Sequence, residues 1–187
     1  RLLVCALLGM SINMLSFFKG LQLSTPINSA VLVTMVPIIT VMVSALFLKE
    51  KITLNKGVGI FLGFVGAVGL ILFGAETRQN APNIPMGNFL FIINAVSYGS
   101  YLVVVKKLIE KYHPFTLMKW LFTIAIFVNL PITLPEVLEI KWSALPLWAF
   151  GSIAFVVIGT TFLTYFFNIF ALTQLKASSV GAFVYMQ

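Results

Sequence analysis

From Pro26 to Gly74 the chain reads PINSAVLVTMVPIITVMVSALFLKEKITLNKGVGIFLGFVGAVGLILFG. Two long apolar stretches flank a short loop, Lys49 to Lys56, that holds all of the local charge. An α-helix rises about 1.5 Å per residue, so ~20 apolar residues cross the hydrocarbon core of a bilayer. Runs of that scale recur at roughly 2–21, 27–48, 57–74, 86–105, 115–134 and 147–172, and another begins near Ser178. They are unbroken and lack the two-residue alternation of a membrane barrel, so they are expected to be helices. The expected fold is therefore an all-α integral membrane protein, a multi-span helical bundle whose first partner is the lipid bilayer.

Composition agrees. The chain is 60% hydrophobic and 9% charged, whereas soluble domains are about half apolar and about a quarter charged. Its net charge of +7 does not point to nucleic acid, because the basic residues sit in short loops and form no continuous basic face. One cysteine, Cys5, allows no internal disulfide, and one histidine, His113, allows no Cys/His metal cluster. No cofactor is expected. The chain opens at Arg1 directly into a span and stops at Gln187 within an apolar run. It reads as a piece of a longer membrane protein.

Sidedness follows from the lysines and arginines. With Arg1 inside, the inner set is Arg1, Lys49, Lys51, Lys56, Lys106, Lys107, Lys111, Lys119 and Lys176, and the outer set is Lys19, Arg78 and Lys141. Basic residues favour the cytoplasm, so the Lys49–Lys56 loop is expected there and the chain in a plasma (bacterial inner) membrane. The polar stretch 75–85, with Pro82 and Pro85, resists helix formation and is the natural seam between two halves.

The halves echo each other. Leu8–Pro37 and Ile158–Gln187 each open with a glycine and hydroxyls, Gly9-Met10-Ser11 and Gly159-Thr160-Thr161. Each continues with an aromatic cluster, Phe17-Phe18 and Tyr165-Phe166-Phe167, then Gly20-Leu21 and Ala171-Leu172, then a short polar corner. Copies offset by five spans run in opposite directions, an inverted repeat of the kind found in secondary transporters. The alternative is that both are ordinary hairpins between membrane helices.

Three segments carry a resemblance. They are Pro37 followed by Leu48-Lys49-Glu50-Lys51-Ile52-Thr53 and Lys56-Gly57; Phe17-Phe18-Lys19-Gly20-Leu21; and Ser97-Tyr98-Gly99-Ser100-Tyr101. In this order they resemble the EamA family of the drug/metabolite transporter superfamily, with Lys49 where that family usually has glycine and Tyr98 where it usually has tryptophan. The resemblance implies a ten-helix transporter of two inverted five-helix repeats. Residues 1–75 would be the last three helices of the first repeat, 76–85 an extracytoplasmic linker, and 86–187 the second repeat up to its fourth helix. It also implies import or export of small metabolites by alternating access, without naming the substrate.

No carboxylate lies inside a span, although a proton relay normally needs one. Glu50 sits at a span edge, and is read as a loop acid that pairs with Lys49 or Lys51 or favours the start of the helix that follows; the lesser reading is a gate or coupling acid. Lys19 near the outer end of the first span is expected to snorkel to water, with substrate contact as the alternative. The stronger cavity candidates are intramembrane amides, phenols and hydroxyls that cost energy against lipid: Asn13, Asn94, Tyr98, Tyr101, Thr161, Tyr165, Tyr185 and Gln187. Asn94, Tyr98 and Tyr101 are spaced to share one helix face. Each taken singly is more often helix glue than ligand contact. Pro37 is a kink, read as a hinge or as a static shaper of the cavity. Gly59, Gly63 and Ala67 form a small-residue face for helix packing, or for a second copy in a homodimer.

A secondary transporter of small metabolites, such as amino acids or related compounds and drugs, fits these features best. A membrane enzyme would show a constellation such as His-Glu-x-x-His, which the sequence lacks, so no enzymatic activity is expected. A nucleotide-sugar or organic-phosphate carrier would need basic residues deep in the cavity, and a non-transporting subunit of a membrane complex would need no convergent polar residues.

Overall fold

A computed structural model describes residues 1–51, 53–73 and 81–183, all helices and connections with no strand among them. Five helices are long and apolar enough to cross a membrane: α1 (Leu2–Leu23), α2 (Pro26–Phe47), α4 (Ile84–Ile109), α5 (Pro114–Glu139) and α6 (Leu147–Gln174). Between them lies α3 (Leu54–Phe73), which the sequence also reads as a span, and α7 (Ala177–Ala182) begins at the end. The chain is a multi-span helical membrane protein. Tyr185 and Gln187 lie outside the described residues.

Prolines open several helices where a missing N–H costs nothing. Pro26 starts α2 behind Thr25, whose Oγ1 accepts from the Asn28 N–H at 3.2 Å. Asn83 caps α4 by accepting from the Met86 N–H at 3.1 Å. Inside α2, regular hydrogen bonding breaks at Thr34 (φ −63°, ψ −10°). Pro37 has no N–H to offer the Val33 carbonyl, and the Thr34 N–H and hydroxyl both turn back to the Val31 carbonyl, at 3.1 and 2.6 Å. In contrast, α5 runs through Pro131 and Pro135 without interruption.

The described helices thread back and forth. At one end the Asn83 N–H donates to the Leu23 carbonyl at 3.0 Å, the Ser24 hydroxyl to Asn88 Oδ1 at 2.7 Å, and Lys19 faces Glu136 at 3.7 Å. At the other end, two neighbouring lysines of α4 grip the carbonyl ends of two other helices. Lys106 Nζ donates to the carbonyls of Leu172 and Leu175 at 2.6 and 3.0 Å, and Lys107 Nζ to that of Phe47 at 3.2 Å. Cations at a helix C-terminus are favourable because the last carbonyls lack intrahelical partners.

The core forms around α4, which packs on α1, α2, α6 and α7, while α3 packs on α2. The α1–α4 contact depends on backbone proximity. A Cβ on Gly87 would lie 2.4 Å from Ser24 Cβ and 2.9 Å from the Gly20 carbonyl oxygen. Thr40 is enclosed the same way: a Cβ on Gly99 would come within 3.1 Å of its hydroxyl and one on Gly181 within 3.0 Å of its Cβ. The small-residue face expected on α3 differs, because nothing lies within 4 Å of a Cβ placed at Gly59 or Gly66. Among the described residues no contact is made at Gly59; Gly63 and Ala67 lie outside those whose surroundings are described.

The two sequence echoes share local geometry. Each first span contains a wider π-type stretch, Leu7–Ile12 in α1 and Phe155–Leu163 in α6, covering its glycine-hydroxyl segment. Each then turns into the next helix through two extended residues, Ser24-Thr25 and Leu175-Lys176.

Lys49 has a left-handed backbone, φ 54°, as the chain leaves α2 and the Glu50 N–H closes onto the Ser44 carbonyl at 3.3 Å. A side chain in that region costs roughly 1–2 kcal/mol that glycine avoids. Lys49→Gly is expected to raise stability by about 1 kcal/mol, and Gly87→Ala to lower it by roughly 1–3 kcal/mol through overpacking. Thermal unfolding of the detergent-solubilised protein checks both.

Candidate functional site

The widened stretch of α1 sets the site. Wide turns disturb the normal backbone pairing, and three carbonyls in or beside this one receive side-chain donors from other helices. Ser97 Oγ of α4 donates to Leu8 O at 2.6 Å and Asn94 Nδ2 to Asn13 O at 3.0 Å, while the Tyr165 hydroxyl of α6 donates to Gly9 O. Asn13 returns a longer bond from Nδ2 to Asn94 O at 3.5 Å, and its Oδ1 accepts from Tyr165 at 2.9 Å. Residues far apart in sequence are thus joined in one buried network linking α1, α4 and α6. Inside a bilayer these pairings replace water that is not there.

Beside this network is a cavity of about 400 Å³. It is lined by Asn13, Asn94, Tyr98, Thr161 and Tyr165 together with an aromatic and aliphatic wall, Phe17 and Phe18 of α1 and Val33 and Val36 of α2. The break at Thr34 lies between those two valines, so the region distorted by Pro37 forms part of the wall. No charged side chain lines the cavity among the described residues.

Tyr101 is the correction. Its spacing from Asn94 and Tyr98 suggests a shared cavity face, but it does not line the cavity and is fully buried. Its ring occupies the space left by Gly9, where an added Cβ would come within 2.4 Å of it. The rings of Tyr98, Tyr101 and Tyr165 stand 5.8–5.9 Å apart in a triangle, of which Tyr98 and Tyr165 line the cavity. Beyond it α4 is solid core: Leu102, Val103 and Val105 are buried.

Glu50 has a partner that its place in the sequence does not reveal. Its carboxylate accepts from the Ser178 hydroxyl at 2.7 Å at the start of α7, and it lies outside the cavity. Lys19 also stays out of the cavity and faces Glu136 as an exposed pair, an arrangement worth roughly 0–1 kcal/mol.

Several polar groups at the cavity are already engaged. Thr160 bonds back to Val156 O at 2.9 Å, and Asn168 Nδ2 donates to the Tyr98 oxygen at 2.6 Å. That leaves, among the described residues, the Tyr98 hydroxyl proton, Asn94 Oδ1 and the Thr161 hydroxyl without protein partners. The site therefore offers a donor, an acceptor and a group that can be either, against an aromatic wall. The sequence reading missed the lining parts of Phe17, Phe18, Val33, Val36 and Thr160. For Phe17 the available signal was its position four residues after Asn13, on the same helical stripe.

The tyrosines separate by their hydroxyls. Tyr165 shares its one hydroxyl proton between two acceptors, whereas the buried Tyr101 hydroxyl has no partner among the described residues. An unsatisfied buried group costs about 1–3 kcal/mol. Tyr165→Phe is expected to lower the thermal unfolding midpoint and Tyr101→Phe to leave it unchanged or raise it.

Comparison with known proteins gives a consistent result. The chain is 30% identical over 156 residues to an uncharacterized transporter of Archaeoglobus fulgidus, covering 83% of this chain and 53% of that protein. It is 23% identical over 167 residues to the uncharacterized transporter YyaM of Bacillus subtilis, covering 89% of this chain and 55% of that protein. A riboflavin transporter of Vibrio cholerae is 29% identical over 100 residues, 54% of this chain and 32% of that protein. The chain spans about half the length of the first two. No solved structure matches it. The profile of the EamA-like transporter family matches residues 1–72 and 85–187, nearly the whole sequence, and the chain belongs to that family.

Proposed function

We propose that this chain supplies the central part of a secondary transporter that moves small, uncharged or zwitterionic metabolites across the plasma membrane by alternating access. The observation that carries this reading is the uncharged cavity between α1, α2, α4 and α6, with its three unclaimed polar groups and its aromatic wall. A cargo with a flat apolar body and a few hydrogen-bonding groups suits such a lining. Amino acids and related compounds fall within this range, and so does riboflavin, the cargo named for one relative. An organic phosphate fits poorly, because burying its charge without a cation is costly.

The paired π-type stretches and matching corners support two inverted repeats within a ten-helix whole, with the chain contributing the third to eighth helices and the start of the ninth. On this reading the break above Pro37 is where α2 flexes, and the Lys106 and Lys107 contacts keep the lysine-rich end closed in this conformation.

The test is uptake of labelled amino acids and riboflavin by the full-length protein in liposomes. Thr161→Val preserves shape and removes one unclaimed hydroxyl, so uptake of the carried compound is expected to fall about fivefold, the equivalent of one lost hydrogen bond. Normal uptake in both Thr161→Val and Asn13→Ala rules this cavity out as the pathway.

A further inference from the structure

A second recess lies at the lysine-rich end, away from the transport cavity. It has a volume of about 370 Å³ and is formed where α1 begins, α4 ends and α5 begins. Three cations converge on it, Arg1, Lys107 and Lys111, with the Thr116 hydroxyl and the rings of Tyr112 and Trp120. Among the described residues no carboxylate lines it, and the one ion pair, Lys19–Glu136, is at the other end of the bundle. Lys107 spends one donor on the Phe47 carbonyl, and an ammonium has three. Thr116 lies in the first turn of α5, whose cap position, His113, provides no side-chain hydrogen bond. First-turn N–H groups of a helix have no intrahelical partners and favour an anion.

We propose that this recess binds the phosphodiester head group of an anionic membrane lipid. A free phosphate offers the same oxygens to the same cations, but the surroundings select a lipid. Trp120 at the recess and Phe127 farther along α5 are exposed apolar side chains on which acyl chains can lie. Tryptophan and tyrosine favour the head-group level, and basic pockets between membrane helices on the cytoplasmic side suit anionic head groups. The site is separate from the transport reading, because none of its residues lines the central cavity. Through Lys107 a bound head group would sit one residue from the Lys106 contact to the end of α6, next to the contacts that join α4 to α2 and to α6.

The experiment uses the purified, delipidated full-length protein and native mass spectrometry to titrate three probes: phosphatidylglycerol, phosphatidylcholine and inorganic phosphate. Phosphatidylglycerol is expected to bind more tightly than phosphatidylcholine and to resist displacement by inorganic phosphate. Lys111→Gln, at an exposed position, is expected to weaken it about fivefold, with Lys51→Gln, at the same end but outside the recess, as the unaffected control. Arg1→Gln gives a second reading of the same loss should Lys111→Gln fold poorly. Equal weakening by Lys51→Gln would show a diffuse surface charge and overturn the site. Equal binding of phosphatidylcholine, or displacement by inorganic phosphate, would overturn the anionic-lipid assignment.

Discussion

The structure depends on satisfying the carbonyls of α1 where no water can reach them. A bilayer tolerates departure from regular helix only where protein supplies the missing partners. Here Ser97, Asn94 and Tyr165 supply them, and in doing so they fix where α4 and α6 stand relative to α1. The cavity is a consequence. Asn13 holds Tyr165 beside it, and the three helices cannot close further without breaking bonds that have no substitute. Such bonds are individually modest in membranes, about 0.6 kcal/mol on average, so this arrangement rests on their being linked.

Much of the fold was legible because a bilayer leaves few choices. Length and apolarity identified the spans, and the lysine asymmetry separated the ends. The polar candidates were legible for the same reason, since an amide in a span must meet protein or cargo. Asn13, Asn94, Tyr98, Thr161 and Tyr165 do come together. Tyr101 shows where that logic stops. Helical spacing gives direction around the axis but not depth along it, and whether a ring meets a cavity or a glycine on another helix is a tertiary fact. The apolar wall was hidden for the opposite reason, as Phe17 or Val33 in a span looks like any lipid-facing residue.

The lysine-rich end carries a related lesson. Lys106 and Lys107 read as loop charges that set sidedness, and the structure gives each a specific acceptor at the end of another helix. Glu50, which invites a functional reading, holds the start of α7 through Ser178. The same residues can thus orient the chain during insertion and tie helix ends together afterwards. Lys49 occupies the one left-handed non-glycine position among the described residues, a backbone conformation that glycine adopts without strain.

The π-type stretches have a further consequence for reading related chains. An α-helix advances about 100° per residue, and a π turn spreads five bonds' spacing where α uses four. Residues before and after Leu7–Ile12 therefore do not share one helical wheel, and the same is true across Phe155–Leu163. A face traced from Cys5 by α periodicity arrives at the wrong residues beyond Asn13. Single-residue insertions or deletions within these stretches would re-aim half a span while leaving its hydrophobicity untouched, which makes them places where cargo preference could change in a single step among homologous transporters.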